Sequence, residues 1–147
     1  MSHVFHCGII TITTPDSWLD VTEDIGREAL FTLAKGESGV GALQFSAAEY
    51  SGGKLPHISL KHLVDLLTDF KTSRELGSGS EHVESDGEIK IAGESFFDDG
   101  NFIRVWYCTD GRNVALITYV CEKGLEEDEC ADCESIVRNI GFKRSDI

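Results

Sequence analysis

Apolar and polar positions alternate with two different periods along this chain, and each change of period marks an element. From Val4 to Thr13 β-branched residues dominate, with Ile10 and Ile12 on one face and Ile9, Thr11 and Thr13 on the other, which predicts a strand. Pro15-Asp16-Ser17-Trp18 is expected to break it, because proline fixes φ and biases the residue before it away from helix. A short strand over Glu28 to Lys35, a turn at Gly36-Glu37-Ser38-Gly39 and a second strand over Val40 to Tyr50 make a hairpin. In that second strand Leu43, Phe45 and Ala47 alternate with Gln44, Ser46 and Ala48.

The period then lengthens. Leu60, Leu63, Val64, Leu67 and Phe70 recur at helical spacing and predict a helix over Ser59 to Phe70, with Ser59 as N-cap and Ile58 stapled onto Leu63. Gly77-Ser78-Gly79-Ser80 reads as a flexible loop within the domain. A meander follows: His82 to Asp86, Glu88 to Ala92, Phe102 to Cys108 and Val114 to Cys121, the last pair joined through Thr109-Asp110-Gly111-Arg112-Asn113. A closing helix runs over roughly Glu126 to Asn139, its inner face formed by Cys130, Cys133, Ile136, Val137 and Ile140. The expectation is a single α+β domain over residues 1–147, an antiparallel sheet of about six strands packed with two main helices.

Charge changes this picture most. With 26 acidic residues against 13 basic ones, the formal charge of −13 repels phosphate backbones and anionic membrane surfaces, so neither nucleic acid nor membrane is an expected partner. The longest apolar run, Val114 to Cys121, is far short of a span, and Met1-Ser2-His3-Val4-Phe5-His6-Cys7 has no basic segment leading into a continuous apolar one. A cytoplasmic location is the default, and five cysteines without framework spacing fit free thiols.

The candidate chemistry thins out on inspection. Cys130-Ala131-Asp132-Cys133 has metal-site spacing, but a structural zinc needs a second pair and the chain has none. Cys121 should pair near Asn101, roughly 20 Å along the ladder from Cys108, so those two cannot share an ion. Core packing is the expected role of Cys130 and Cys133. His3 and His6 fall on opposite faces of a strand, and His57, His62 and His82 are scattered. Neither a phosphate-binding loop, nor a nucleophile elbow, nor a calcium loop is spelled out. No catalytic residue, metal or cofactor is therefore expected, although a site using Cys7 or Cys121 with a histidine would be non-local and invisible in sequence.

Carboxylates remain. Part of the run Glu126-Glu127-Asp128-Glu129 is explained by the positive end of a helix dipole. That leaves Glu81, Glu84, Asp86, Glu88, Asp98, Asp99, Glu127, Asp128 and Asp132 as candidate contacts for a basic protein partner.

The order of elements, with Pro15 and Trp18 after the first strand, the Ser59 to Phe70 helix, Arg104 and Trp106 in the meander, Leu116-Ile117-Thr118-Tyr119 and a final Ile136-Val137-Arg138-Asn139-Ile140-Gly141-Phe142, resembles the PsbP-like fold family. The resemblance covers most of the chain at the level of fold and carries no catalytic motif. It implies a protein that binds other proteins, and its small acidic bacterial members imply an immunity protein that neutralises a cationic toxin domain, such as a nuclease. The alternative it implies is a secretion adaptor or chaperone that holds an apolar segment of an exported effector.

Overall fold

The computed structural model describes residues 2–25, 30–36, 39–49, 57–77 and 79–142. Its first departure from the sequence pattern comes at once. The N-terminal β-branched stretch is not one strand but a hairpin, β1 (Ser2–Cys7) and β2 (Ile10–Pro15), turning at Gly8, whose φ of +57° is a conformation glycine adopts without a steric penalty. The alternation holds in β2, where Ile10 and Ile12 are fully buried. The strand ends at Pro15 as expected, and after a two-residue turn β3 (Trp18–Asp20) starts in a different sheet, followed by the single helical turn α1 (Thr22–Ile25).

Next come β4 (Phe31–Lys35) and β5 (Gly41–Glu49), the expected hairpin, in register at Leu33 and Leu43. The outer ends proposed for this hairpin, 28–29 and 50, lie outside the described residues. Helix α2 (Leu60–Ser73) starts where the stripe predicts. Ser59 is extended, its N–H donates to Nδ1 of His62 at 2.9 Å, and Ile58 and Leu63 share one buried cluster. The meander is β6 (Ser80–Asp86), β7 (Lys90–Asp98), β8 (Asn101–Thr109) and β9 (Asn113–Glu122), followed by α3 (Glu127–Arg138) and β10 (Gly141–Phe142). Among these β7 runs well past Ala92, because Glu94 and Ser95, which look like surface residues, are buried.

The protein is α+β. A seven-stranded antiparallel sheet has the order β3-β4-β5-β9-β8-β7-β6, and β1-β2-β10 form a separate three-stranded sheet. Each face of the large sheet carries its own apolar cluster. On the first face, Leu43, Phe45, Trp106, Ile117 and Tyr119 meet Ile10 and Ile12 of the small sheet and Cys133, Ile136 and Val137 of α3. On the second, Ala92, Phe96 and Val105 meet Leu63, Leu67 and Phe70 of α2. Edge strand β6 is guarded by a bulge near Glu81, whose φ is +51°, and by its own charges. Among the described residues, no helix is long and apolar enough to cross a membrane.

Candidate functional site

Antiparallel register decides which carboxylates stand together. Asp86 pairs with Lys90 at one end of β7, and Asp98 pairs with Asn101 at the other. At about 3.4 Å per residue, eight steps separate those ends by about 27 Å. The nine candidate contacts therefore do not form one patch. Glu84, Asp86 and Glu88 occupy one end of the sheet, Asp98 and Asp99 the other.

The first of these groups is largely neutralised locally. Glu84 lies 2.6 Å from Nε2 of His82, and Asp86 lies 2.6 Å from Nζ of Lys90, leaving Glu88 in the connecting turn. Glu81 sits at the bulge, where its carbonyl accepts from Arg104 at 3.0 Å. Asp132 is occupied inward: it accepts from Nε1 of Trp18 at 3.1 Å and lies 3.3 Å from Nζ of Lys35. Residues 127 and 128 open α3, and their side chains lie outside the described set.

The opposite end differs. A single row, Phe97–Phe102–Cys121–Gly41, crosses four strands there. Asp98, Asp99 and Glu122 lie at the same end of the sheet, are exposed, and make no ion pair among the described residues. The pleat turns Asp98 and Glu122 to the second face, whereas on the first face, with Phe102, stands Phe97, half exposed at 50%. Its ring packs 5.6 Å from that of buried Phe102, which packs 6.3 Å from Tyr119, so the exposed ring is the outer member of an aromatic chain rooted in the core. The Lys123 ammonium lies 5.1 Å over its face. A fixed aromatic anchor with a charged rim is the usual anatomy of a protein interface.

The helix that brings residues 127 and 128 to this end is held by a carboxyl group that the sequence pattern disguised. Glu129 belongs to the acidic run but is buried, accepting from the Val40 N–H at 2.9 Å, the Gly41 N–H at 3.2 Å and the Tyr119 hydroxyl at 2.9 Å. Burial, then its hydrogen bonds, pushes the Tyr119 phenol far up, so it stays a donor. Glu126, the residue before the helix, makes no side-chain cap and instead accepts from Gly124 N–H at 2.7 Å. Further along α3, Glu134 accepts from both buried Arg104 and Nε1 of Trp106 at 3.2 Å. Arg104 also donates to Ser95 Oγ at 2.7 Å.

The thiols are free. Cys133 is core, and Cys130 packs half-buried against it. Burial pushes Cys7 and Cys121 upward, away from the thiolate a nucleophile requires. Among the described residues no group of three His, Cys, Asp or Glu is placed to hold a metal ion.

No protein-family model matches the chain, and no curated protein matches it. Among solved structures, it is similar to a protein from Bacteroides thetaiotaomicron VPI-5482, with a TM-score of 0.60 and 12% identity over 98% of this chain and 48% of that one. The chain thus spans about half the length of that protein, and at this identity the likeness is one of fold alone.

Proposed function

We propose that the chain is an immunity protein of the PsbP-like fold, a cytoplasmic binding module that neutralises a cationic toxin domain, such as a nuclease, by covering its basic surface. The observation that supports this reading is the end of the sheet where Phe97, rooted in the aromatic core, is exposed on one face and Asp98, Asp99 and Glu122, without an ion pair among the described residues, stand at the same end. In such a contact the carboxylates steer the encounter and the aromatic ring supplies affinity after desolvation. The raised thiols support a binding role over an enzymatic one.

Co-expression with the product of the adjacent gene is the direct test. Protection of the host and a purified complex are expected, with an association rate that falls about tenfold or more from low to high salt. Phe97→Ala should weaken the complex by about 2 kcal/mol, in the hot-spot range. Asp98→Asn with Asp99→Asn and Glu122→Gln should slow association and flatten the salt dependence. Absence of any complex, or one indifferent to all four changes, would defeat the proposal. The adaptor reading needs a continuous apolar cleft, and the open groove on the second face, at about 240 Å³ with a polar floor, supports it less.

A further inference from the structure

Helix α2 packs on β7 and β8 and, among the described residues, leaves the β5–β9 part of the second face uncovered. The opening is a groove of about 240 Å³. Its apolar walls are Leu30, Ile103, Leu116 and Val120, and its floor carries a polar row, Gln44, Ser46 and Thr118. Gln44 and Thr118 are register partners on neighbouring strands. The Gln44 amide nitrogen donates to Thr32 Oγ1 at 3.2 Å, which leaves its carbonyl oxygen available, while Ser46 and Thr118 make no side-chain hydrogen bond among the described residues.

At the mouth stands Arg74, the C-cap of α2, with its guanidinium 4.3 Å over the ring of Phe70. Arg74, like Lys61, Arg112 and Lys123, makes no ion pair among the described residues, so its guanidinium donors are not committed to a carboxylate. Lys35, Lys71, Lys90, Arg104 and Arg138 all have carboxylate partners. Among the described residues no acidic side chain lines the groove, and Arg74 is its one charged group. Repulsion from more distant carboxylates is screened beyond about 8 Å at physiological salt.

We propose that this groove binds a small monocarboxylate with an apolar body. The planar guanidinium, already held flat by the Phe70 ring, offers two parallel donors to the carboxylate. The body lies on Leu116, Ile103 and Val120, above hydroxyls that accept a polar substituent. The volume sets the scale: it lies below the roughly 300–1,000 Å³ of sites for drug-sized ligands, so it suits a small molecule and not a folded partner.

Octanoate and its neutral twin octanol are the probes, titrated into ¹⁵N-labelled full-length protein at neutral pH. With octanoate, amide shifts should concentrate at Gln44, Ser46, Thr118 and Val120. Octanol should bind at least tenfold more weakly, and Arg74→Gln should lower octanoate affinity about tenfold to the octanol level. Val120→Glu, which places a carboxylate on the wall, should abolish octanoate binding while far-UV circular dichroism stays unchanged. Shifts outside the groove, equal binding of the two probes, or an unchanged affinity in Arg74→Gln would overturn the proposal. The titration contains no partner protein, so its failure leaves the toxin reading standing, and the failure of that reading leaves this one.

Discussion

Glu94 and Glu129 are both buried carboxyl groups beside a glycine, yet they are satisfied in different ways. Glu94 is met by cations: Lys71 of α2 at 3.3 Å and Nδ1 of His82 at 2.8 Å, with the Gly79 N–H at 3.0 Å. Among the described residues Glu129 has no cation and is met by two backbone N–H groups and a phenol. In both places a side chain on the glycine would collide, with the Glu94 carboxylate at Gly79 and with the Tyr119 ring at 2.6 Å from Gly41. The difference teaches where rigidity is needed. Charge partners on flexible stems tolerate adjustment at the edge strand β6, whereas fixed dipoles lock α3 onto β5 beside the proposed interface.

The strongest way to break this comparison is Glu129→Ala. It strands two N–H groups and a hydroxyl in a buried site and should cost about 4 kcal/mol, read as a lowered urea midpoint at constant slope. Gly41→Ala comes next, at about 2–3 kcal/mol, because the buried ring it strikes has nowhere to move. If Gly41→Ala proved neutral, the locked picture would be wrong. Glu94→Gln keeps the shape and an acceptor and should cost less, about 1–2 kcal/mol, in the same assay.

The smallest effect is one of pH. Hydrogen bonding to Glu84 first, and then to Glu94, raises His82 above its ordinary 6.5 despite desolvation. Its stabilisation is complete below 6.5 and is lost as pH rises through the raised folded value. Burial pushes the Glu94 carboxyl up, but hydrogen bonds from His82 and Lys71 outweigh it and bring the group below 4.5. That contribution is present above 4.5 and is lost as pH falls through the lowered value. This corner should therefore be tightest between 4.5 and 6.5. The stability difference between wild type and His82→Gln should shrink as pH rises from mildly acidic to alkaline, and a difference constant across that range would remove His82 from the account.

Much of the scaffold was readable because burial and periodicity agree in it. The stripe on α2 and the alternation in β5 each face one side, and the β8–β9 register missed by a single residue, with Cys121 opposite Phe102 instead of Asn101. Elements were lost where composition and burial diverge: polar Glu94 and Ser95 hid the far half of β7, and Gly8 hid a turn inside an unbroken β-branched stretch. Within Glu126-Glu127-Asp128-Glu129, nothing local distinguishes the inward carboxyl, because its partners Val40, Gly41 and Tyr119 are remote in sequence. The same limit applied to the candidate site. Charge was visible in the composition, but its division between two ends of the sheet is a property of register, and Phe97 stands out only once its neighbours are in place.

In the small sheet Gly141 lies opposite Thr11, so one of the earliest strands waits for one of the last. On the ribosome, β1 and β2 emerge long before β10 and α3 can cover them, and their buried isoleucines have no lid until then. Closure of the first face is thus a late event with a large loop-closure cost, while α2 with β7 and β8 is assembled from nearer neighbours. A chain lacking α3 would leave Ile10 and Ile12 without the cover of Cys133, Ile136 and Val137, so the first face closes only when elements far apart in sequence meet.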